Sequence, residues 1–394
     1  MSYLLIPVIS ALVGWGTNVL ALKMTFYPLE FKGIPPLLGW QGIIPNKSKI
    51  MAEKSVDMIL TKLIDIQEQF SKLSPELIAQ TMGPSLDRVA KKVTNEVLAS
   101  QYPVLWKALP LSKKDLIFER IRTEIPVVTA AVMQDVKEHI TELFDAKQMV
   151  INELVSNKSL LNEIFLKVGK EEFKFIERSG LWFGGLFGLI QMAIWIFFPY
   201  WFILPIAGLL VGYLTNLIAL KLIFFPIKHY KIGSYVWQGL FIKRQKEVSA
   251  EYAEIVASKI FTSKLIFDSL LDGPYAENVN DVIKKHIHLV VDAAAGDQKD
   301  LFMLVAGTKK YEAIKNLTAF SFCEDLPIII RDIFPYTEEA LEIESTLRTR
   351  MSELPADDFV GFLRPVFQED EWKLILVGAI LGFFAGFMQW LLLF

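Results

Sequence analysis

The side chains best suited to chemistry are small polar residues inside otherwise apolar stretches. Thr17 and Asn18 lie in one charge-free stretch, and Thr215 and Asn216 lie in another. Such side chains hydrogen-bond to a neighbouring membrane helix, or they form a polar site for a lipid headgroup or a permeating solute. Helix packing is the favoured interpretation, and a polar site for a lipid headgroup or a solute is the alternative. The predicted helix-packing or polar membrane site consists of Gly14, Thr17, Asn18, Gly184, Gly188, Gln191, Gly212, Thr215, Asn216, Gly382, Gly386 and Gln389.

No pattern in the sequence predicts catalysis, a metal site or a cofactor. The four histidines lack ligand spacing, and His286 and His288 are two residues apart, so a helix would direct them to different faces. The phosphate-binding loop, the dinucleotide fingerprint and the common hydrolase motifs are missing from the sequence. A net charge of −3 gives no indication of nucleic-acid binding. The sequence therefore predicts a non-enzymatic protein.

The polar positions recur because the chain contains an internal repeat with a period of 198 residues. Residues 7–28 (PVISALVGWGTNVLALKMTFYP) and 205–226 (PIAGLLVGYLTNLIALKLIFFP) are identical at 11 of 22 aligned positions. A second motif repeats at the same spacing, with Gly180, Gly184, Gly188 and Gln191 matching Gly378, Gly382, Gly386 and Gln389. A fixed period determines the architecture. It predicts two tandem parallel repeats, each built as membrane helix, polar region and membrane helix.

The segregation of charge predicts four membrane spans. Residues 1–22, 179–220 and 374–394 carry no charged side chain. One span needs about 20 apolar residues, so the middle stretch accommodates two. We predict an all-α membrane protein with spans at residues 3–22, 179–198, 202–220 and 374–394, repeats at residues 1–198 and 199–394, and a helical domain in each repeat at residues 48–178 and 247–373.

The glycines of the repeated motifs predict close helix pairs. Small residues at four-residue spacing let two helix backbones approach, and Ser, Thr, Asn and Gln then hydrogen-bond across the interface. Counting inward from the flanking charges places Gln191 level with Ser10 and places Asn18 near Gly184. The sequence therefore predicts a glycine-to-glycine crossing with a Gln191–Ser10 contact, and no direct bond between Asn18 and Gln191.

Basic residues beside the spans predict the orientation in the membrane. They follow the first and third spans and precede the second and fourth, so the positive-inside rule places both large polar regions in the cytoplasm, in a multi-pass protein of the bacterial inner membrane. Apolar residues in those regions recur at helical spacing. A packed helical bundle is favoured, and a stripe left available for lipid or a partner helix is the alternative.

A Trp-Gln-Gly element follows the first span of each repeat. A Trp with lysines downstream is typical of a membrane-surface anchor, and specific binding of anionic lipid is the functional alternative. Two further lysines, at the ends of the spans, are predicted to extend to phosphate headgroups. The predicted lipid-facing residues are Lys23, Trp40, Gln41, Lys47, Lys49, Lys221, Trp237, Gln238, Lys243, Arg244 and Lys246.

The motif G-x-x-T-N-x-x-A-x-x-x-x-F-x-P, the Trp-Gln-Gly element and the terminal G-x-x-x-G-x-x-x-G-x-x-Q helix together resemble the bacterial family known as domain of unknown function 445. The resemblance implies a multi-span inner-membrane protein and no particular reaction. Our leading hypothesis is a membrane-organising or lipid-engaging protein whose partners are membrane phospholipids, with a possible homo-oligomer. The alternative is an oligomeric transporter or channel for a small solute or lipid, because internal duplication is common in transporters.

Overall fold

A computed structural model describes residues 2–34, 38–233, 235–364, 368 and 371–393 of the chain. Most of these residues are helical. The α-helices, numbered in chain order, are α1 (Leu5–Phe26), α2 (Ile43–Asn46), α3 (Ser48–Met58), α4 (Ile66–Ser71), α5 (Pro75–Gln101), α6 (Pro103–Ala108), α7 (Leu111–Glu138), α8 (Ile140–Leu143), α9 (Ala146–Ser156), α10 (Lys158–Val168), α11 (Lys170–Phe197), α12 (Ile203–Phe224), α13 (Leu240–Lys243), α14 (Gln245–Lys259), α15 (Ser263–Asp272), α16 (Ala276–Ala295), α17 (Lys299–Ala306), α18 (Thr308–Ile329), α19 (Phe334–Leu341), α20 (Ile343–Glu353), α21 (Ala356–Leu363) and α22 (Glu371–Leu393).

Side-chain caps determine where several of these helices begin. The Asp65 carboxylate accepts hydrogen bonds from two backbone amides at the start of α4. Ser74 caps α5, whose first residue is Pro75, and Thr262 caps α15. Each cap satisfies an amide that has no partner within the helix. Proline suits the first helical position because its missing N–H is not needed there.

Among the described residues, four helices have the length and composition to cross a membrane, the number that the sequence predicts. They are α1, α11, α12 and α22. The structure extends each of them beyond one predicted bound, since α1 ends at Phe26, α11 begins at Lys170, α12 ends at Phe224 and α22 begins at Glu371. Each helix therefore continues past the charge-free segment into sequence that contains charged residues.

In the described part of the chain two short hairpins accompany the helices, so the all-α prediction was incomplete. Strand β1 (Lys32–Ile34) pairs antiparallel with β2 (Leu38–Trp40), and β3 (Tyr230–Ile232) pairs with β4 (Tyr235–Trp237). Strands of three residues are too short for an alternating pattern to be recognised. In the second hairpin Gly233 has φ +65°, a left-handed conformation that favours glycine.

The chain forms two compact units, and each unit takes residues from both halves of the sequence. Unit 1 comprises residues 1–63, 151–259 and 344–394, and unit 2 comprises residues 64–150 and 260–343. These contact units cut across the predicted repeats 1–198 and 199–394, and the predicted domain bounds stay a prediction. Unit 1 contains the four candidate spans and the hairpins. Unit 2 is built from the polar sequence between them.

Within unit 1 the spans pack as two pairs, α1 with α11 and α12 with α22. The pairs also touch each other through α11 and α12 and through α1 and α22. Ile6, Trp195 and Leu204 form a buried apolar cluster that joins three of the spans.

Candidate functional site

Glycines form the crossing point of each span pair, as predicted. A methyl group added at Gly14 would overlap the Gly180 carbonyl oxygen, and one added at Gly184 would overlap the Ser10 carbonyl. In the other pair, a methyl group added at Gly382 would overlap the Gly208 carbonyl. Backbone therefore lies directly against backbone, and no larger residue fits without moving the helices apart.

A buried asparagine ties each pair together at a carbonyl that a glycine leaves accessible. Asn18 is 0% exposed, and its Nδ2 donates to the Ile176 carbonyl at 2.6 Å. A methyl group added at Gly180 would contact that Nδ2 atom. The predicted neighbour of Asn18 was Gly184, so the prediction was wrong by one helical turn.

The second span pair repeats this arrangement. Asn216 Nδ2 donates to the Leu374 carbonyl at 2.8 Å, and Gly378 leaves the space for it. In both pairs the asparagine and its acceptor are 158 residues apart in sequence. The same asparagine, glycine and carbonyl therefore form the contact in each half of the chain.

The predicted Gln191–Ser10 contact is present, since the Ser10 hydroxyl donates to Gln191 Oε1 at 2.8 Å. The predicted role of the threonines was wrong. Thr17 donates to the Gly14 carbonyl and Thr215 donates to the Gly212 carbonyl, each within its own helix rather than across the interface. A threonine hydroxyl in a helix lies close to the backbone carbonyl three residues earlier, so it donates to that carbonyl rather than to the neighbouring helix.

Four buried polar atoms in the spans have no hydrogen-bond partner in the described part of the chain: Asn18 Oδ1, Gln191 Nε2, Asn216 Oδ1 and Gln389 Nε2. Leaving a buried polar group without a hydrogen-bond partner costs free energy of folding.

The remaining predicted glycines lie at the helix crossings. A methyl group would overlap Pro7 at Gly188, the Gly378 carbonyl at Gly212 and the Leu204 carbonyl at Gly386.

The glutamines of the Trp-Gln-Gly elements are half-buried and close the hairpins, and their lipid-facing role stays a prediction. Gln41 Nε2 donates to the Leu29 carbonyl at 2.7 Å, and Gln238 Nε2 donates to the Ile227 carbonyl at 3.1 Å. Each bond joins the end of a hairpin to the segment that follows the span. The shared element is therefore explained by local structure.

Apolar side chains at the hairpins remain exposed. Trp237 is 44% exposed and Ile34 is 72% exposed. Trp40 is half-buried, and its indole N–H donates to the Met24 carbonyl at 3.1 Å. An aromatic ring with one bonded polar end suits a membrane interface.

Arg244 is also placed differently from its prediction. Its Nη1 contacts both carboxylate oxygens of Glu172 at 2.8 and 2.9 Å, and its Nε contacts Glu247 at 2.8 Å. Glu172 is 1% exposed, so this ion pair lies inside unit 1. The other predicted basic residues are exposed except Lys47, which is half-buried: Lys23, Lys49, Lys221, Lys243 and Lys246.

Unit 2 contains an apolar cavity that the sequence did not predict. It has a volume of about 670 Å³ and is lined by the inner faces of α5, α7, α16 and α18, with part of α15. Several of its apolar wall residues are only half-buried, among them Ala90, Val128, Val132, Ile287 and Val290. Apolar side chains thus line a space that is partly open to solvent.

The cavity wall is formed by antiparallel neighbours. Lys92 of α5 contacts Asp325 of α18 at 2.9 Å, and Val97 packs near Ile314, so the two helices run in opposite directions. Internal prolines occur in three of the four wall helices, at positions 84, 126 and 327. A proline inside a helix removes a backbone bond and disfavours a straight, close-packed bundle.

An ionic cluster outside the lining joins α7 to α16. His286 Nε2 lies 2.9 Å from the Asp135 carboxylate, and Lys285 Nζ lies 3.1 Å from it. The hydrogen bond from His286, followed by that from Lys285, holds the pKa of Asp135 below its ordinary value. Asp135 is therefore an anion at neutral pH and fixes this side of the cavity.

The apolar stripes were the only sequence signal for the cavity. Such stripes indicate which face of a single helix is buried, for example the face of α5 that carries Val93 and Val97. The distance between facing helices determines whether such faces meet, and local periodicity does not contain that distance.

The four candidate spans among the described residues indicate a membrane protein, and the relatives that match the chain are named membrane proteins. A segment of 90 residues is 30% identical to a UPF0754 membrane protein of Shouchella clausii, and one of 85 residues is 27% identical to a UPF0754 membrane protein of Staphylococcus haemolyticus. A segment of 158 residues is 25% identical to a UPF0754 membrane protein of Halalkalibacterium halodurans.

The matches cover 22%, 21% and 38% of this chain, and the chain spans only 23%, 22% and 41% of the length of these three relatives. The predicted similarity to an uncharacterised family of bacterial membrane proteins is confirmed. The narrower resemblance to domain of unknown function 445 stays a prediction. No family model matches the chain. No solved structure matches it either.

Proposed function

We propose that this protein is a non-enzymatic integral membrane protein of the bacterial envelope that engages membrane lipid, and that the cavity of unit 2 holds a lipid acyl chain. The observation that carries the proposal is the apolar cavity of about 670 Å³. Ligand pockets in proteins commonly have volumes of about 300–1,000 Å³, and hydrophobic side chains predominate in their walls.

The size of the cavity favours an occupant on energetic grounds. The cavity is partly open to solvent, so its apolar walls lie against water when no ligand is bound. Removing apolar surface from water contributes about 25 cal/mol per Å². An apolar ligand would therefore gain free energy by covering these walls and by burying its own apolar surface.

The shape of the occupant follows from the volume. At about 30 Å³ for each water-sized group, 670 Å³ holds about 22 such groups, and a methylene group is close to that size. This volume suits one long acyl chain. Because the same chain carries four candidate spans, unit 2 is tethered to a membrane, where the local concentration of lipid is high.

The repeated contacts support two further parts of the proposal. Asn18 and Asn216 make the same bond in the two halves, which supports an origin of the chain as two tandem repeats. The basic residues that flank the spans support a location in the inner membrane with both polar regions in the cytoplasm.

The function is tested by filling the cavity. We expect the double variant Ala90→Trp and Thr318→Trp to reduce lipid binding at least fivefold, because the two indoles occupy space between α5 and α18. The control is Ala99→Trp with Ala313→Trp, at exposed positions of the same helices. The measurement is crosslinking of a lysophospholipid with a diazirine in its tail to peptides of α7 and α16, in nanodiscs. Equal crosslinking in both variants would overturn the proposal.

The orientation is tested by cysteine labelling. Lys107→Cys and Lys284→Cys, each in a Cys323→Ser background, place single thiols at exposed positions. We expect a membrane-impermeant maleimide to label neither thiol in intact cells and to label both after the cells are opened. Labelling of either position from outside would show that the proposed orientation is wrong.

A further inference from the structure

We propose that the occupant of the cavity is an anionic phospholipid, with its phosphate at Lys113 and Arg120 and one acyl chain extending toward α15. This inference rests on the proposed function and adds the class and direction of the lipid. The charged residues of the lining are Lys113 and Arg120, and both are cationic. An apolar cavity whose charged wall residues, among those the structure describes, are both positive is complementary to an anionic amphiphile.

The two cations lack acidic partners in the described part of the chain. The described polar contact of the Arg120 guanidinium is its Nη1 bond to the Ala294 carbonyl at 3.4 Å. Its neighbour Arg122, which does not line the cavity, contacts Glu119 at 3.3 Å and Asp87 at 3.8 Å. The inward-facing arginine therefore keeps most of its donors available, whereas the outward-facing one is paired.

The charge is confined to one end of the cavity. Lys113 and Arg120 lie in the first half of α7, and Arg120 meets the C-terminal end of α16. The opposite end is lined by Met133, Val136 and residues of α15 such as Phe267, without a charged group. A headgroup therefore belongs at the first end and a hydrocarbon tail at the second.

The length of the apolar part suits an acyl chain. Arg120 and Val136 are sixteen residues apart on α7, which corresponds to roughly 24 Å at 1.5 Å per residue. A lipid tail spans about 15 Å of each leaflet, half of the bilayer's hydrocarbon core. If the headgroup of the lipid lies at Arg120, its acyl chain therefore ends within the apolar half of the cavity.

A phosphate fits these two donors better than a carboxylate does. Lys113 and Arg120 are seven residues apart on one face of α7, roughly 10 Å along the helix. A phosphodiester presents oxygens in several directions, and the guanidinium fork binds phosphate through two parallel bonds. The inference therefore commits to a phospholipid rather than a free fatty acid.

The test compares two lysophospholipids with the same chain. Full-length protein in phosphatidylcholine nanodiscs is titrated with lysophosphatidylglycerol and with lysophosphatidylcholine. We expect the wild type to prefer the anionic lipid, and Lys113→Gln with Arg120→Gln to reduce that preference roughly thirtyfold. The matched control is Lys114→Gln with Arg122→Gln, which removes two charges from the same helix outside the lining and should keep the preference.

Additional measurements distinguish a failure of this inference from a failure of the proposed function. A diazirine at the tail end of lysophosphatidylglycerol should label α7 near Val128 and Val132, about ten residues beyond Arg120, and one beside the headgroup should label the Lys113 peptide. Lys113→Glu, at an exposed position, replaces the double variant if loss of Arg120 impairs folding. Equal binding of the two lysolipids by the wild type, or tighter binding of hexadecanoate, would overturn this inference. Lipid binding that filling the cavity abolishes would still support the proposed function.

Discussion

Replacing Gly184 or Gly382 with leucine is expected to separate the paired spans and to lower the free energy of unfolding by about 3 kcal/mol or more. The Cα atoms of these glycines lie against backbone, at the Ser10 carbonyl in one pair and the Gly208 carbonyl in the other. A flexible side chain could move away from an added methyl group, but a helix backbone moves only as a whole. The expected result is a large loss of thermal stability in nanodiscs.

The control for this prediction lies one residue further along the same helix. A methyl group added at Gly185 would lie 3.7 Å from the Ala11 side chain, which is an ordinary van der Waals distance. Gly185→Leu should therefore be tolerated. Asn18→Ala should be intermediate, because polar contacts in membranes contribute about 0.6–2 kcal/mol each. If Gly184→Leu and Gly185→Leu unfolded at the same temperature, close backbone packing would not hold this pair together.

The sequence predicted the features that depend on spacing within one segment. The charge-free stretches gave the four spans, and the glycine motifs gave the crossings. Counting depth from the flanking charges placed Gln191 beside Ser10 correctly. The same count placed Asn18 beside Gly184, whereas its amide lies against Gly180, one turn earlier, and donates to the Ile176 carbonyl, because α11 begins in charged sequence and the boundary residues do not fix its depth.

Features that depend on pairing between distant segments were not predictable in this way. Residues 64–150 pack with 260–343 rather than with the rest of their own half. The cavity arises from that pairing, since its wall combines α5 and α7 with α16 and α18. The ion pair of Arg244 and Glu172 also joins the two halves. A run of basic residues after Trp237 is typical of a membrane surface, and only the fold shows that one of them, the half-buried Arg244, pairs with a buried acid.

That ion pair leads to the second large expected effect. Arg244→Ala should lower the free energy of unfolding by about 3–5 kcal/mol, because it leaves the carboxylate of Glu172, which is 1% exposed, without its partner. Lys246→Ala, two residues away at an exposed position, should have little effect. The measurement is thermal or denaturant unfolding of each variant in the same nanodiscs.

A double variant distinguishes a buried ion pair from a lipid contact. Arg244→Ala combined with Glu172→Met removes both charges, and replacing a buried pair with apolar residues is often neutral or stabilising. We therefore expect the double variant to recover most of the stability that Arg244→Ala loses. If Arg244 instead contributed through anionic lipid, removing Glu172 would restore nothing, and the loss would vary with the phosphatidylglycerol content of the nanodisc. Lys243→Gln with Lys246→Gln then tests the remaining basic residues after Trp237 for lipid contact, without disturbing the pair.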